Sequence, residues 1–220
     1  MPNWCMTRII FHGNKSEIED LHSKIEEWTS NNLMANGFGP NWLGNILVGA
    51  GLGDRIDSEK DNRIRCRGSL EYMDDVTINS EDDAWFAIDT DTAWSPMVRM
   101  WDKVFKAMGY KTIDYSFQAE EPGMCLYLVY DPYGDFTGEK YYIDIFLEGD
   151  DKLNEKLTAI RDNRFFGTDE QLISTLQELL ETDEDDVIIL RRMAEKYPFK
   201  CEDSYISIYE YETVYKEDMC

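Results

Sequence analysis

Residues 112–130 read TIDYSFQAEEPGMCLYLVY, and this stretch decides the fold class. Ile113, Tyr115, Phe117 and Ala119 alternate with Thr112, Asp114, Ser116, Gln118 and Glu120, the period of two that gives a strand one apolar and one polar face. Pro122-Gly123 turns the chain, and Met124, Leu126, Leu128 and Tyr130 share one face of a partner strand. The pattern is an antiparallel hairpin. Just upstream, Ser95-Pro96 predicts a helix start, a hydroxyl cap followed by proline at the first helical position. Met97, Met100, Trp101, Val104, Phe105 and Met108 then form one apolar stripe, and Gly109 closes the helix. Trp94, just before the cap, is expected to staple that helix onto the sheet.

Further upstream lie strands at roughly 64–73 and 83–91, and a first strand at 3–12. That first strand is apolar on both sides, with Cys5, Thr7, Ile9 and Phe11 on one and Trp4, Met6 and Ile10 on the other. It therefore reads as a central strand. Ser16 is the expected cap of a helix carrying Ile18, Leu21, Ile25 and Trp28. The connection 31–62, rich in Gly, Asn and Asp (Asn36-Gly37, Gly39-Pro40, Gly49 to Gly53) with a short helix near Trp42–Val48, reads as an insertion, lid or binding loop. Downstream come a strand near 141–148, helical patterns at 169–181 and 184–196, and a last strand at 204–214. Because consecutive elements pack as neighbours, the expected fold is α+β. It is a ferredoxin-like sandwich of mainly antiparallel sheet with helices on one face, over residues 1–150 with the 31–62 insertion. A helical extension over 151–220 ends in a strand that joins the same globule.

The chain has 220 residues with 45 acids against 22 Lys and Arg, a net charge of −23. The excess is uneven: residues 1–65 carry net −2, 66–150 net −12 and 151–220 net −9. So acidic a chain repels phosphates, which argues against direct nucleic-acid binding. A hydrophobic fraction of 43% argues for a packed core. No apolar run is long enough for a membrane span, and Met1 is not followed by a basic and apolar leader, so a cytoplasmic location is expected. Five scattered cysteines, Cys5, Cys66, Cys125, Cys201 and Cys220, read as reduced thiols.

No phosphate-binding loop, dinucleotide fingerprint or nucleophile elbow occurs, so no catalytic residue and no cofactor is assigned. A Cys–His pair between Cys5 or Cys66 and His12 or His22 lacks any local signature; core thiols and an exposed histidine are the default. The loop Asp131–Glu139 sets Asp131, Asp135 and Glu139 as weak candidate ligands for a hard cation, without EF-hand spacing. Tyr205, Tyr209 and Tyr211 read as sheet packing before recognition. The acidic strand faces stand out most. Asp89 and Asp91 share one side of a strand, Asp114 and Glu120 the solvent side of another, and Glu121 follows. Carboxylates two residues apart on a strand sit about 6.6 Å from each other, a spacing that attracts a basic groove.

Four segments also carry a resemblance: Asn3-Trp4-Cys5, Cys66-Arg67-Gly68-Ser69, Thr92-Ala93-Trp94-Ser95-Pro96 and Glu121-Pro122-Gly123-Met124. In that order they resemble the YubB-like family with a ferredoxin-like domain, found on phages, plasmids and other bacterial mobile elements. The resemblance covers roughly residues 1–150. Thr7 stands where the family often has Asn, and Trp42-Leu43-Gly44-Asn45 is all that remains of its Trp-Gly-Thr-Lys-Trp segment. It implies the fold and a mobile-element origin, and supplies no catalytic residue. The expected function is a non-enzymatic module that binds a basic host protein through Asp89, Asp91, Asp114, Glu120 and Glu121, in one version as a DNA mimic. The alternatives are a metal-dependent hydrolase at Asp131–Glu139, or a small-ligand module using the cleft beneath the 31–62 connection.

Overall fold

The computed structural model describes residues 3–30, 38–58, 63–136 and 139–216; Asn36, Gly37 and Cys220 lie outside them. The fold is mixed α and β, with mostly antiparallel sheet. The chain divides into two units, one of residues 1–135 with 213–220 and one of residues 136–212.

The first unit is built on β1 (Trp4–Gly13). Cys5, Ile9 and Phe11 are fully buried on one side of it, while Trp4 and Met6 on the other are half exposed. Helix α1 (Lys15–Ser30) buries Ile18, Leu21, Ile25 and Trp28. At ~1.5–3 kcal/mol per fully buried large apolar side chain, that stripe outweighs the helix's mostly polar remainder. Its cap is Asn14 rather than Ser16: the Asn14 side-chain oxygen accepts the Glu17 N–H at 2.9 Å, as a good N-cap does. Helix α2 (Leu43–Gly49) follows, then β2 (Gly68–Met73), β3 (Thr77–Ile78) and β4 (Ala84–Ala93). Helix α3 (Arg99–Met108) buries Met100, Trp101, Val104 and Phe105, and a left-handed Gly109 ends it. The chain continues into β5 (Asp114–Glu121) and β6 (Leu126–Tyr130). These strands run in the order β6-β5-β1-β4-β2, with β3 also on β4. β1 is antiparallel to β4 and to β5, and β2 to β4.

Helix α3 starts later than Ser95-Pro96 predicts. The Ser95 carbonyl accepts the Thr92 hydroxyl at 2.9 Å, Trp94 takes a left-handed φ of 76°, and position 98 supplies no side-chain cap. Trp94 is 45% exposed and so does not staple the helix.

The second unit holds β7 (Tyr141–Phe146), α4 (Glu155–Asp162), β8 (Phe165–Phe166), α5 (Asp169–Leu180), α6 (Val187–Ala194) and β9 (Tyr205–Glu210). β7 lies between β8 and β9 in a separate antiparallel sheet. The boundary expected at 150 therefore falls at 135, because Ile143, Ile145 and Leu147 share a core with Leu157, Leu172, Leu176 and Ile206 rather than with the first sheet. Helix α4, with only Leu157 and Ile160 buried, is too short to give a periodic signal. Asn154, Thr168 and Asp186 cap the three helices. Tyr211 is buried, while Tyr205 is half exposed against Phe146. A final short strand, β10 (Glu212–Thr213), pairs with β6 at the edge of the first sheet.

Two substitutions test this account. Phe11 is fully buried, with ring centroids of Trp101 and Phe86 at 4.8 and 5.2 Å, so Phe11→Ala should cost about 3–5 kcal/mol in chemical denaturation; a loss under 1 kcal/mol would contradict that core. In the second unit, Asp151 accepts the Lys200 and Cys201 backbone N–H groups at 3.0 and 2.9 Å. These bonds hold its carboxyl below the usual carboxylate range, Lys200 first, against the opposing effect of burial. That stabilisation is complete above the unfolded value of about 3.9 and is lost as pH falls through the lower folded value. Asp151→Asn should therefore lower the melting temperature at pH 7, with the difference from wild type closing below pH 3. A difference independent of pH would refute it.

Candidate functional site

Helices α1 to α3 share a core with one face of the first sheet, and the other face presents the residues of even number in β1. Register sets its rows: Met6 stands between Asp91 and Glu120, and Arg8 between Asp89 and Gln118. β2 adds Glu71 at an irregularity between Leu70 and Tyr72. Met6, Arg8, Glu71, Asp89, Asp91, Gln118 and Glu120, with Thr7 and Thr90, line a groove of about 500 Å³.

The five carboxylates chosen from the sequence separate into two groups. Asp89 is engaged by Arg8 through two contacts of 2.9 and 3.0 Å, and the same guanidinium reaches Asp74 at 2.6 Å. Asp91 and Glu120 lie with it in the groove. The other two are not groove residues. Asp114 is paired with Lys216 at 2.7 Å, whose ammonium also meets Asp102 at 3.1 Å and the Tyr115 ring at 4.7 Å. Glu121 is 3% exposed: one oxygen accepts the Gly123 N–H, and the other is buried with no hydrogen-bond partner. Glu121 is therefore corrected from a partner-binding residue to an internal one, since alternation along β5 puts it on the buried side with Tyr115, Phe117 and Ala119. Within the groove, burial first and then the charges of Glu71 and Asp89 push the Asp91 carboxyl above the ordinary range.

The candidate cation loop is differently used. Asp131 accepts the Asp135 backbone N–H at 2.7 Å, and Asp135 meets His12 Nε2 at 2.7 Å while Tyr133 stacks on the His12 ring at 4.2 Å. Among the described residues no group of three or more His, Cys, Asp or Glu is placed to hold a metal ion. The thiols are also unsuited to attack. Burial raises Cys5 to about 11 and Cys66 to about 12, so both are protonated near neutral pH. The histidines are engaged elsewhere, His12 with Asp135 and His22 with the Asp74 carbonyl at 3.1 Å. No described cysteine is in a disulfide. No helix among the described residues is long and apolar enough to cross a membrane.

Beside the groove lies a larger cavity of about 920 Å³, lined by Trp4, Phe38, Trp42, Asp57, Cys66, Arg67, Gly68, Ser69, Ala93 and Trp94. Three of the four quoted segments meet here. The Trp94 N–H donates to the Asn3 carbonyl at 2.9 Å and the Ala93 N–H to the Arg67 carbonyl at 2.8 Å. The fourth segment touches the first, for a Cβ on Gly123 would fall 2.7 Å from the Asn3 side-chain nitrogen. A Cβ on Gly68 would lie 2.6 Å from the Asp91 carbonyl, so only glycine lets β2 approach β4 this closely. Asn45, fully buried, donates to the Gly39 and Pro40 carbonyls at 3.0 and 2.9 Å and so holds the turn that carries Phe38 and Trp42. The sequence flagged the 31–62 connection and the quoted segments, but not that Phe38, Trp42 and Asp57 from one and Trp4, Arg67 and Trp94 from the others line one cavity. Glu71 also escaped notice, because strand alternation breaks at the irregularity beside it.

Comparison with protein-family models, curated proteins and solved structures finds no match.

Replacing Asp91 by Asn tests the electrostatics of the groove. A carboxyl whose folded value is raised destabilises the fold when ionised, and the penalty is relieved as pH falls through that value. Asp91→Asn should thus raise the melting temperature at pH 7–8, with the gain vanishing near pH 3.5. A lower melting temperature at pH 7 would contradict the repulsion described here.

Proposed function

We propose that this chain is a non-enzymatic binding module that takes a basic protein segment on the open face of its first sheet. One observation carries the reading: Asp91 lies among the like charges of Glu71 and Asp89 in an accessible groove, and an arriving lysine or arginine removes that repulsion. Arg8 is the cation in the groove lining, and it is already held between Asp74 and Asp89. With Asp114 paired and Glu121 buried, the acidic surface is a compact patch rather than a long phosphate-like ladder. The patch suits a short basic segment of a partner; the net charge of −23 extends its pull to a nucleic-acid-handling protein with a basic groove, the DNA-mimic version of the same proposal.

We also read the strand order β5-β1-β4-β2, with α1 joining β1 to β2 and α3 joining β4 to β5, as ferredoxin-like. Kinship with the YubB-like family, and with it a mobile-element origin and a cytoplasmic setting, belongs to this proposal. Its support is the meeting of the four quoted segments at one end of the sheet.

A lysine-rich peptide of about 15 residues, followed by fluorescence anisotropy, tests the site. The triple variant Glu71→Gln, Asp91→Asn, Glu120→Gln should weaken binding roughly tenfold, from ~0.5 kcal/mol per exposed charge pair. Affinity should also fall between 50 and 300 mM salt. A control removes three exposed acids of the second unit, Asp150→Asn, Glu202→Gln and Asp203→Asn, and should leave affinity nearly unchanged. Equal losses in the two variants would mean that net charge alone attracts the peptide and that the groove is not its site.

A further inference from the structure

The cavity at the end of the first sheet differs from the groove in chemistry. Its walls carry Trp4 at 51%, Phe38 at 70% and Trp94 at 45% exposure, and the nearly buried Trp42 ring lies 5.3 Å from that of Phe38. Large aromatics gathered and left exposed around one opening mark an interaction site rather than packing. Trp94 is held there at a left-handed φ of 76°, a conformation that a bulky residue adopts only when its surroundings impose it. The polar groups of the lining are a carboxylate, Asp57, a guanidinium, Arg67, and a hydroxyl, Ser69. Among the described residues neither Asp57 nor Arg67 is committed through its side chain to an ion pair or hydrogen bond.

We propose that this cavity binds an uncharged planar heteroaromatic ring of the nucleobase class, stacked on Trp4 and Trp94 and read at its edge by Arg67 and Asp57. The volume, about 920 Å³, is that of a small-molecule pocket. Indole faces supply the stacking, which is tolerant of ring type and worth ~1–3 kcal/mol per ring. A purine or pyrimidine edge offers donors and acceptors side by side, and a guanidinium with a carboxylate supplies the complement of both. The one positive and one negative group cancel within the lining, while the chain as a whole carries a net charge of −23, so a free nucleoside is favoured over its phosphate. This site is independent of the basic-segment groove.

Tryptophan fluorescence, with calorimetry as a second readout, tests the site using adenosine, cytidine and AMP. The expected result is saturable quenching by adenosine below millimolar concentration, with AMP weaker. Trp94→Gly suits the left-handed backbone and so keeps the fold while removing the ring; Trp4→Ala removes a side chain from the exposed face. Each should weaken adenosine by about tenfold, with thermal melts showing both variants folded, and Asp203→Asn, an exposed acid of the second unit, should leave it unchanged. AMP binding more tightly than adenosine would overturn the uncharged-ligand assignment. Absence of saturable binding by either nucleoside, or binding unchanged in both tryptophan variants, would overturn the site itself.

Discussion

Strand β1 is the element on which the first unit depends. It is paired with β4 from Trp4 to Gly13 and with β5 from Met6 to His12, and its side chains alternate between one face and the other. Residues of odd number from Cys5 to Phe11 are buried with α1, α2 and α3. Those of even number from Trp4 to Arg8 are thereby committed to the open face, and antiparallel register then fixes their neighbours. Asp91 and Glu120 flank Met6, and Asp89 flanks Arg8. A slip of one residue would move Phe11 to the open face and Arg8 into an apolar core, so the core enforces the arrangement of charge on the outer face.

That dependence explains which parts of the fold were legible. The hairpin at 112–130 and the stripe of α3 each rest on a period that a single stretch of sequence displays, and the central position of β1 on apolar residues on both of its sides. Cap choice was less legible: Asn14 and Ser16 are both good cap residues, and Gly13-Asn14 decided the matter by ending the strand where Asn14 could accept the Glu17 N–H. The unit boundary was misplaced for a different reason. β7 has the alternation of a first-sheet strand, and nothing local in Tyr141–Phe146 says that its apolar side meets α4, α5 and β9 rather than β6. Strand pairing is a long-range choice, and periodicity within one strand does not specify it.

The candidate sites were legible only in outline. Alternation put Asp89 and Asp91 on one face and Asp114 and Glu120 on the polar side of another strand, but it could not pair Asp89 with Arg8, since that contact joins residues 81 positions apart. Nor could it foresee Lys216 closing on Asp114 across 102 positions. Glu121 shows the limit most sharply: it lies next to Glu120 in sequence, yet alternation sends it to the opposite face, where it is buried. The cavity was harder still. Its aromatics come from three separate stretches, and the unusual backbone of Trp94 has no signature in composition; Ser95-Pro96 instead suggests a helix cap that would draw the indole onto the sheet.

The groove and the cavity are nevertheless neighbours, and register says how. Ser69, in the cavity lining, pairs with Asp91 in the groove, and Trp4, also in the lining, pairs with Ala93 beside Trp94. Along one side of β1 the surface therefore passes from indoles to carboxylates within a few residues. Position on the sheet accounts for the change. At the strand end, where β1 begins and β4 stops, backbone turns free the chain to hold Trp94 outward and to bring Phe38 and Trp42 alongside. In mid-sheet only strand side chains are available, and these are short carboxylates with Arg8 among them. A flat, pleated surface offers charge and little depth, whereas its end, walled by loops, offers depth and ring faces. The two sites thus select different chemistry, a cation in mid-sheet and an uncharged ring at the end.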